Sequence, residues 1–260
     1  MIDTHAHVFS EQFDEDQRDM LNRARSKGVK KIYMPNINAE SMDKMLSLAQ
    51  LEPSFLKPML GLHPCYVGED WAEQVQRIKD RLGEDGIVGI GETGLDYYWD
   101  TQYVKQQKSS LEQHVEWALE YDLPIILHSR SAIDDTTDMM EAAGPEIRGI
   151  FHCFTGTQAQ AERIIDLGFK LGIGGIVTFK NAGLDQVVAH LPLESLVLET
   201  DAPYLAPHPH RSQTNEPSFL PLIAEKIAEV QGVTRTEVVA QTSQNARNVF
   251  GEDEEVKEEI

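Results

Sequence analysis

Ile87-Val88-Gly89-Ile90-Gly91-Glu92-Thr93-Gly94 is a short run of apolar and small residues that closes on an acid. A run of this kind reads as a strand buried on both faces, as parallel strands in an α/β protein are. The arrangement recurs along the chain. Pro124-Ile125-Ile126-Leu127 ends on His128, and Gly149-Ile150-Phe151 ends on His152. The first run, residues 2–7, carries His5 and His7, and Leu196-Val197-Leu198-Glu199 is followed by Asp201. Further apolar runs lie at 31–34, 59–62 and 169–173. Between them the apolar period lengthens to that of helices, over residues 12–27, 40–50, 71–82, 103–121, 132–143, 157–167 and 183–190, with helices 217–231 and 235–249 closing the chain. In the long helix Leu111, Val115, Ala118 and Leu119 share one face. Strand and helix alternate throughout, which predicts an α/β fold, a (β/α)₈ TIM barrel. A doubly wound open sheet would show fewer strands and a glycine-rich loop after the first, and the chain has neither feature. The length of 260 residues suits one barrel of roughly 250 residues. The expected organisation is a single domain over residues 1–250 and a solvated acidic tail over 251–260.

Apolar residues make up 41% of the chain, enough for a sizeable core. No stretch approaches the roughly 20 apolar residues that span a bilayer, so no membrane partner is expected. A cleavable leader would remove His5 and His7, so a cytoplasmic location is expected. Two cysteines, Cys65 and Cys153, exclude a disulfide framework and are expected reduced near the core. The charge balance, 43 acidic against 23 basic residues for a net of −20, sets a field that repels polyanions. Either the substrate is small, or cations within about 8–10 Å outweigh that field at the site.

Taken singly, each strand-end residue has a bland reading. A histidine near an apolar strand is commonly a satisfied core residue, and Asp201 before Pro203 could be a helix cap or turn. Together they put His5, His7, Glu92, His128, His152 and Asp201 at the C-terminal ends of strands, where barrels of this fold carry their chemistry. His5 and His7 are two apart and point to one face of a strand. Six ligands exceed the three or four of a single zinc site, so two divalent ions are expected. His5, His7 and Asp201 would hold one, His128 and His152 the other, and Glu92 would bridge them. Imidazole with carboxylate suits Zn²⁺ or Mn²⁺, and Mg²⁺ can work in a mixed site. Glu92 and Asp201 are the expected catalytic acids, Asp201 also orienting the attacking water. His63 and Arg130 are candidates for substrate phosphate. The alternative for Arg130 is an ion pair with Asp134 or Asp135. Asp96 would accept the second N–H of a ligand histidine. Tyr97, Tyr98 and Trp99 offer faces on which bases could stack, though loop packing is the simpler reading for at least two of them. Lys180, His208, His210 and Arg211 could form a basic rim. Arg23, Arg25, Lys27, Lys30 and Lys31 belong to the opposite end, and His114 and His190 are read as ordinary.

Seven segments in order, Asp3-Thr4-His5-Ala6-His7, Gly61-Leu62-His63-Pro64, Gly89 to Tyr97, His128-Ser129-Arg130, His152-Cys153-Phe154-Thr155-Gly156, Glu199 to Tyr204 and Asn215-Glu216-Pro217, resemble the TatD family of metal-dependent deoxyribonucleases, within the amidohydrolase-like barrels. The resemblance implies the barrel, the six ligands and hydrolysis of DNA phosphodiester bonds. A narrow barrel mouth suits exonucleolytic attack on DNA ends or single strands. One departure stands out. Arg211 is followed by Ser212-Gln213-Thr214, where the family commonly runs through Gly-Lys-Arg, so two cations are missing above the site. Related small-substrate barrels often bridge their metals with a carbamylated lysine after strand four, where this chain has Glu92. Two other readings remain open: an ester or amide hydrolase such as a D-aminoacyl-tRNA deacylase, and a metal-binding scaffold without activity.

Overall fold

The computed structural model describes residues 1–99 and 101–252. Its strands are β1 (Ile2–Asp3), β2 (Lys31–Pro35), β3 (Leu56–Met59), β4 (Ile90–Asp96), β5 (Ile125–Arg130), β6 (Gly149–Phe151), β7 (Lys170–Ile173) and β8 (Leu196–Leu198). The helices are α1 (Gln17–Ser26), α2 (Met42–Leu51), α3 (Trp71–Lys79), α4 (Val104–Glu120), α5 (Ile133–Ala143), α6 (Gln158–Asp166), α7 (Leu184–Val188), α8 (Leu220–Gln231) and α9 (Arg235–Phe250). All strand pairs are parallel, in the orders β1-β2-β3 and β4-β5-β6-β7-β8. Two parallel bridges join the ladders, Leu60 with Ile90 at one seam and Ala6 with Ala202 at the other. Eight parallel strands alternating with helices and joined at both seams make the chain a (β/α)₈ TIM barrel.

Several boundaries differ from the sequence reading, for one physical reason. Apolar runs mark where a strand crosses the core, not where its pairing begins or ends. β4 and β5 continue past their apolar runs into the polar site, so His128 lies within β5. β3 begins three residues earlier than expected because Lys57 and Pro58 interrupt its apolar pattern. Residues 4–7 lie outside the regular ladder of β1, although Ala6 still pairs. The expected acidic tail falls mostly on residues 253–260, outside the described residues. Its first two residues are not a solvated end. Gly251 caps α9 with a left-handed φ of 65°, and Glu252 pairs with Lys31 at 2.5 Å. Lys31 is therefore tied down rather than free at the barrel's lower face.

Side-chain alternation decides what faces the barrel axis. Tyr33, Met59, Ile126, Ile150 and Val197 form an inner apolar cluster, closed below by Ala246 and Val249 of α9. Their strand neighbours, among them Ile125, Leu127, Phe151, Leu196 and Leu198, pack outward in the main core. Phe250 stacks on Tyr33, with ring centroids 3.6 Å apart. Two positions beyond the inner apolar layer, on the same strand faces, stand His128, His152 and Glu199. The barrel interior is thus apolar below and polar at the tips. Among the described residues, no helix is long and apolar enough to cross a membrane.

His114, on α4, is structural. It is fully buried, its Nδ1–H donates to the Ser110 carbonyl at 2.7 Å, and Nε2 accepts the Leu62 N–H at 3.0 Å. Both nitrogens are committed, so the ring is neutral, and burial pushes its pKa down from 6.5 to about 4. As pH falls from 6.5 toward 4 the unfolded chain takes this proton first, and stability drops by up to on the order of 3 kcal/mol. His114→Gln should remove that slope. The check is the urea midpoint of both proteins near neutral pH and near pH 5. A wild-type-minus-variant difference that does not change with pH would refute the assignment.

Candidate metal centre

Glu92 stands at the middle of the polar tips and is fully buried. Its two oxygens face different groups. Oε2 lies 3.1 Å from His5 Nε2 and 3.5 Å from His7 Nε2. Oε1 lies 3.0 Å from His128 Nδ1, 3.3 Å from His63 Nε2 and 3.7 Å from His152 Nε2. Asp201 Oδ1 closes the first group, 3.8 Å from His5 Nε2, 3.6 Å from His7 Nε2 and 3.9 Å from His152 Nε2. His152 therefore sits within reach of both carboxylates, and its ring stacks on His5 with centroids 3.4 Å apart. All six residues expected from the strand ends meet in one pocket.

Local backbone features put them there. Gly94 has a φ of +137°, and a Cβ on it would fall 2.0 Å from the His128 carbonyl oxygen. Only glycine lets β4 lie this close to β5 and set Glu92 beside His128. Asp201 and Cys153 take positive φ values of 57° and 46°, costly for side-chain-bearing residues and sustained by the packing around them. The Asp3 carboxylate accepts the Thr200 N–H at 3.0 Å, the Thr200 hydroxyl at 2.6 Å and the His5 N–H at 3.3 Å. It clamps the first strand tip to the last, and burial pushes its pKa up to about 7. Asn215 Nδ2 donates to the Thr200 and Tyr204 carbonyls, both at 2.6 Å, and holds the loop behind Asp201.

The donor set fits divalent cations. His7 Nδ1–H donates to the Pro35 carbonyl at 3.2 Å, which leaves the Nε2 lone pair facing Glu92, Asp201 and His5 Nε2, the last at 3.2 Å. Among the described residues, buried His5 Nδ1 has no hydrogen-bond partner, and it is Nε2 that faces the carboxylates. Imidazole nitrogens and carboxylate oxygens crowded together in this way are a set that a cation satisfies. Burial pushes the Glu92 carboxyl up, but the imidazoles of His63, His5, His152 and His128 outweigh it and hold it well below the usual range. Burial lowers His152, yet the carboxylates of Glu199, Glu92 and Asp201 prevail and raise it to about 10. Burial and the neighbouring His152 bring His5 down to about 4.

His63 differs from the other histidines. Its Nδ1 accepts the Cys65 N–H at 3.0 Å. A neutral His63 ring must therefore carry its proton on Nε2, the nitrogen that faces Glu92. That nitrogen can donate but has no lone pair for a metal. Asp96 Oδ2 lies 2.8 Å from His128 Nε2, and Oδ1 accepts the Tyr98 N–H at 2.8 Å and the Trp99 N–H at 3.1 Å.

These groups floor a cavity of about 570 Å³, also lined by Tyr66, Trp99, Arg130 and Tyr204. The Arg130 guanidinium lies 3.8 Å from the Tyr98 ring centroid and 5.2 Å from that of Trp99. It makes no ion pair among the described residues. The acids that could have taken it are engaged elsewhere, Asp135 with Lys108 and Tyr97, and Asp134 with Gln160. Tyr97 alone of the aromatic run is partly packed. Tyr98 and Trp99 are 58% and 69% exposed, which corrects the packing expectation. Cys65 is also exposed rather than near the core, with Sγ 3.5 Å from Asp96 Oδ2, and Cys153 is half-buried. The expected basic rim does not line the cavity. Arg211 stacks on Phe179 at 3.5 Å, and His210 on Phe219 at 4.2 Å. Sequence reasoning passed over Tyr66 and Tyr204, which are loop residues without a periodic signal, and over Glu199. Glu199 did carry a signal: it stands two places beyond inward-facing Val197, on the face that His128 and His152 share on their own strands.

A family model described as TatD related DNase matches residues 2–251. The chain belongs to the TatD family. Among its relatives, the metal-dependent hydrolase YabD of Bacillus subtilis is 36% identical over 252 residues, covering 96% of this chain and 98% of that protein. The 3'-5' ssDNA/RNA exonuclease TatD of Pantoea vagans is 33% identical over 258 residues, covering 96% and 99%. The crystal structure of YjjV, a TatD homologue from Escherichia coli, superposes with a TM-score of 0.89 at 33% identity, covering 97% of this chain and 98% of that one.

Proposed function

We propose that this TatD-family protein is a metal-dependent deoxyribonuclease that removes nucleotides from DNA ends or single strands. The observation that carries this reading is the Glu92 carboxylate, its two oxygens set between two groups of imidazoles at the floor of an open cavity. His5, His7 and Asp201 would hold one divalent ion, His128 and His152 a second, and Glu92 would bridge them. When bound, such ions supply Lewis acidity to phosphoryl oxygens and acidify water. Asp201 orients the attacking water and takes its proton. His63 donates through Nε2–H, and Arg130 donates through its planar fork, both to the phosphate. Asp96 fixes the His128 ring. Exposed Tyr66, Trp99 and Tyr204 at the mouth give bases a surface to stack on. The exonuclease name of the Pantoea relative supports the same substrate class.

Cleavage of an end-labelled single-stranded oligonucleotide with added Mg²⁺, Mn²⁺ or Zn²⁺ tests this. A ladder shortening from one end is expected. No cleavage with any ion, alongside turnover of an acyl ester, would overturn it. Arg130→Ala should raise KM about 10- to 100-fold, the scale of a lost charged hydrogen bond, with only a small loss of thermal stability, because among the described residues no ion pair is broken and only exposed cation–π contacts go. An unchanged KM would remove Arg130 from the substrate path. Few fixed cations face the cavity, so affinity should fall only modestly between about 50 and 200 mM salt. A loss on the order of 10³ or more, as for roughly six to ten phosphate contacts, would reveal a basic groove elsewhere on the protein.

A further inference from the structure

Glu199 is fully buried at the end of β8 and takes no part in the chemistry above. Its Oε1 lies 2.9 Å from His152 Nδ1 and accepts the Cys153 N–H at 2.6 Å. Among the described residues, His152 Nδ1 and Glu199 Oε2 both lack an aligned hydrogen-bond partner, so proximity and charge hold the pair. The far oxygen occupies space vacated by a glycine: a Cβ on Gly172 of β7 would fall 2.1 Å from Oε2. Burying a carboxylate here is costly unless a donor or cation answers it. The groups gathered around it are His152 and the half-buried thiol of Cys153.

We infer that Glu199 is a positioning residue for metal binding, acting through His152. Its negative charge, 2.9 Å from Nδ1, holds the ring proton on that nitrogen and so leaves the Nε2 lone pair directed into the cavity. Carboxylate–imidazole–metal relays of this kind orient the ligand and raise its basicity. The position of His152 makes this consequential. Its Nε2 lies 3.7 Å from Glu92 Oε1 and 3.9 Å from Asp201 Oδ1, so one ring angle serves both groups of the centre. Gly172 is the second part of the device, since its missing side chain seats the carboxylate. The inference rests on the metal reading above and adds residues which that reading does not use.

The test is Mn²⁺ titration of the metal-stripped full chain by calorimetry, with wild type measured first. Glu199→Gln keeps the side-chain shape and removes the charge, and should weaken Mn²⁺ binding by about 10- to 100-fold. In a His152→Ala background the same substitution should have no further effect, because residues that act through one partner are not additive. Gly172→Ala should weaken binding in the same direction while leaving every ionisable group in place, and it carries the test alone if Glu199→Gln does not fold. Wild-type affinity in Glu199→Gln, or an equal loss with and without His152, would overturn the inference and leave the metal reading standing. Wild-type protein that takes up no Mn²⁺ would overturn both.

Discussion

Replacing Glu92 and Asp201 together by alanine should cut cleavage by roughly 10³-fold or more, the scale of losing a general base together with the ions it helps hold. Both side chains face the imidazole groups, and neither makes contacts that the fold requires. Among the described residues, Glu92 touches five histidine rings and no backbone donor. At neutral pH the imidazoles stabilise the buried carboxylate by more than burial penalises it, so the ion-free double variant should melt somewhat below ion-free wild type while still unfolding cooperatively. Initial rates and thermal melts measured on the same preparations check both halves. Cleavage at the wild-type rate would trace the activity to a contaminating nuclease and sink the catalytic assignment.

Metal removal should have the second large effect. An ion present at about 1,000 times its Kd stabilises the folded state by roughly 4 kcal/mol per site. For a protein of this size each kcal/mol moves Tm by about 2–4 °C. Stripping wild type with a chelator should therefore lower Tm by about 8–16 °C for each ion lost, roughly twice that for both, and restoring Zn²⁺ or Mn²⁺ should reverse the loss. The source is local: the Nε2 atoms of His5 and His7 face each other at 3.2 Å beside the Glu92 and Asp201 carboxylates, a donor set that a cation satisfies. The double variant should show little response to chelator, which assigns the shift to this centre. A wild-type Tm indifferent to both chelator and metal would end the two-ion reading.

Much of this arrangement was legible in the chain because two regularities coincide. Apolar runs mark strand interiors, and a polar residue two places beyond an inward apolar one continues on the same face. Ile126 leads to His128, and Ile150 to His152, by that rule. The rule also leads from Val197 to Glu199, but a glutamate at a strand end is easily read as solvated, and only the cavity beside Gly172 reveals its burial. β3 was displaced because Pro58 breaks the pattern while still lending its carbonyl to Val88, at 3.0 Å. Arg130 had two readings of similar weight, and the choice between them depended on where Lys108 and Gln160 reach, which no local spacing encodes. Tyr66 and Tyr204 lie on loops, whose conformations depend on contacts distant in the chain.

The joining of the first and last strand tips through Asp3 and Thr200 has a consequence for synthesis. During translation the Thr200 end of that clamp, with Asp201 beside it, follows Asp3 by 197 residues. Until then the growing polypeptide lacks the acid that completes the centre. An interrupted translation product ending before that point should therefore be inert in the cleavage assay, since the ring closes only when the last strand tip meets the first.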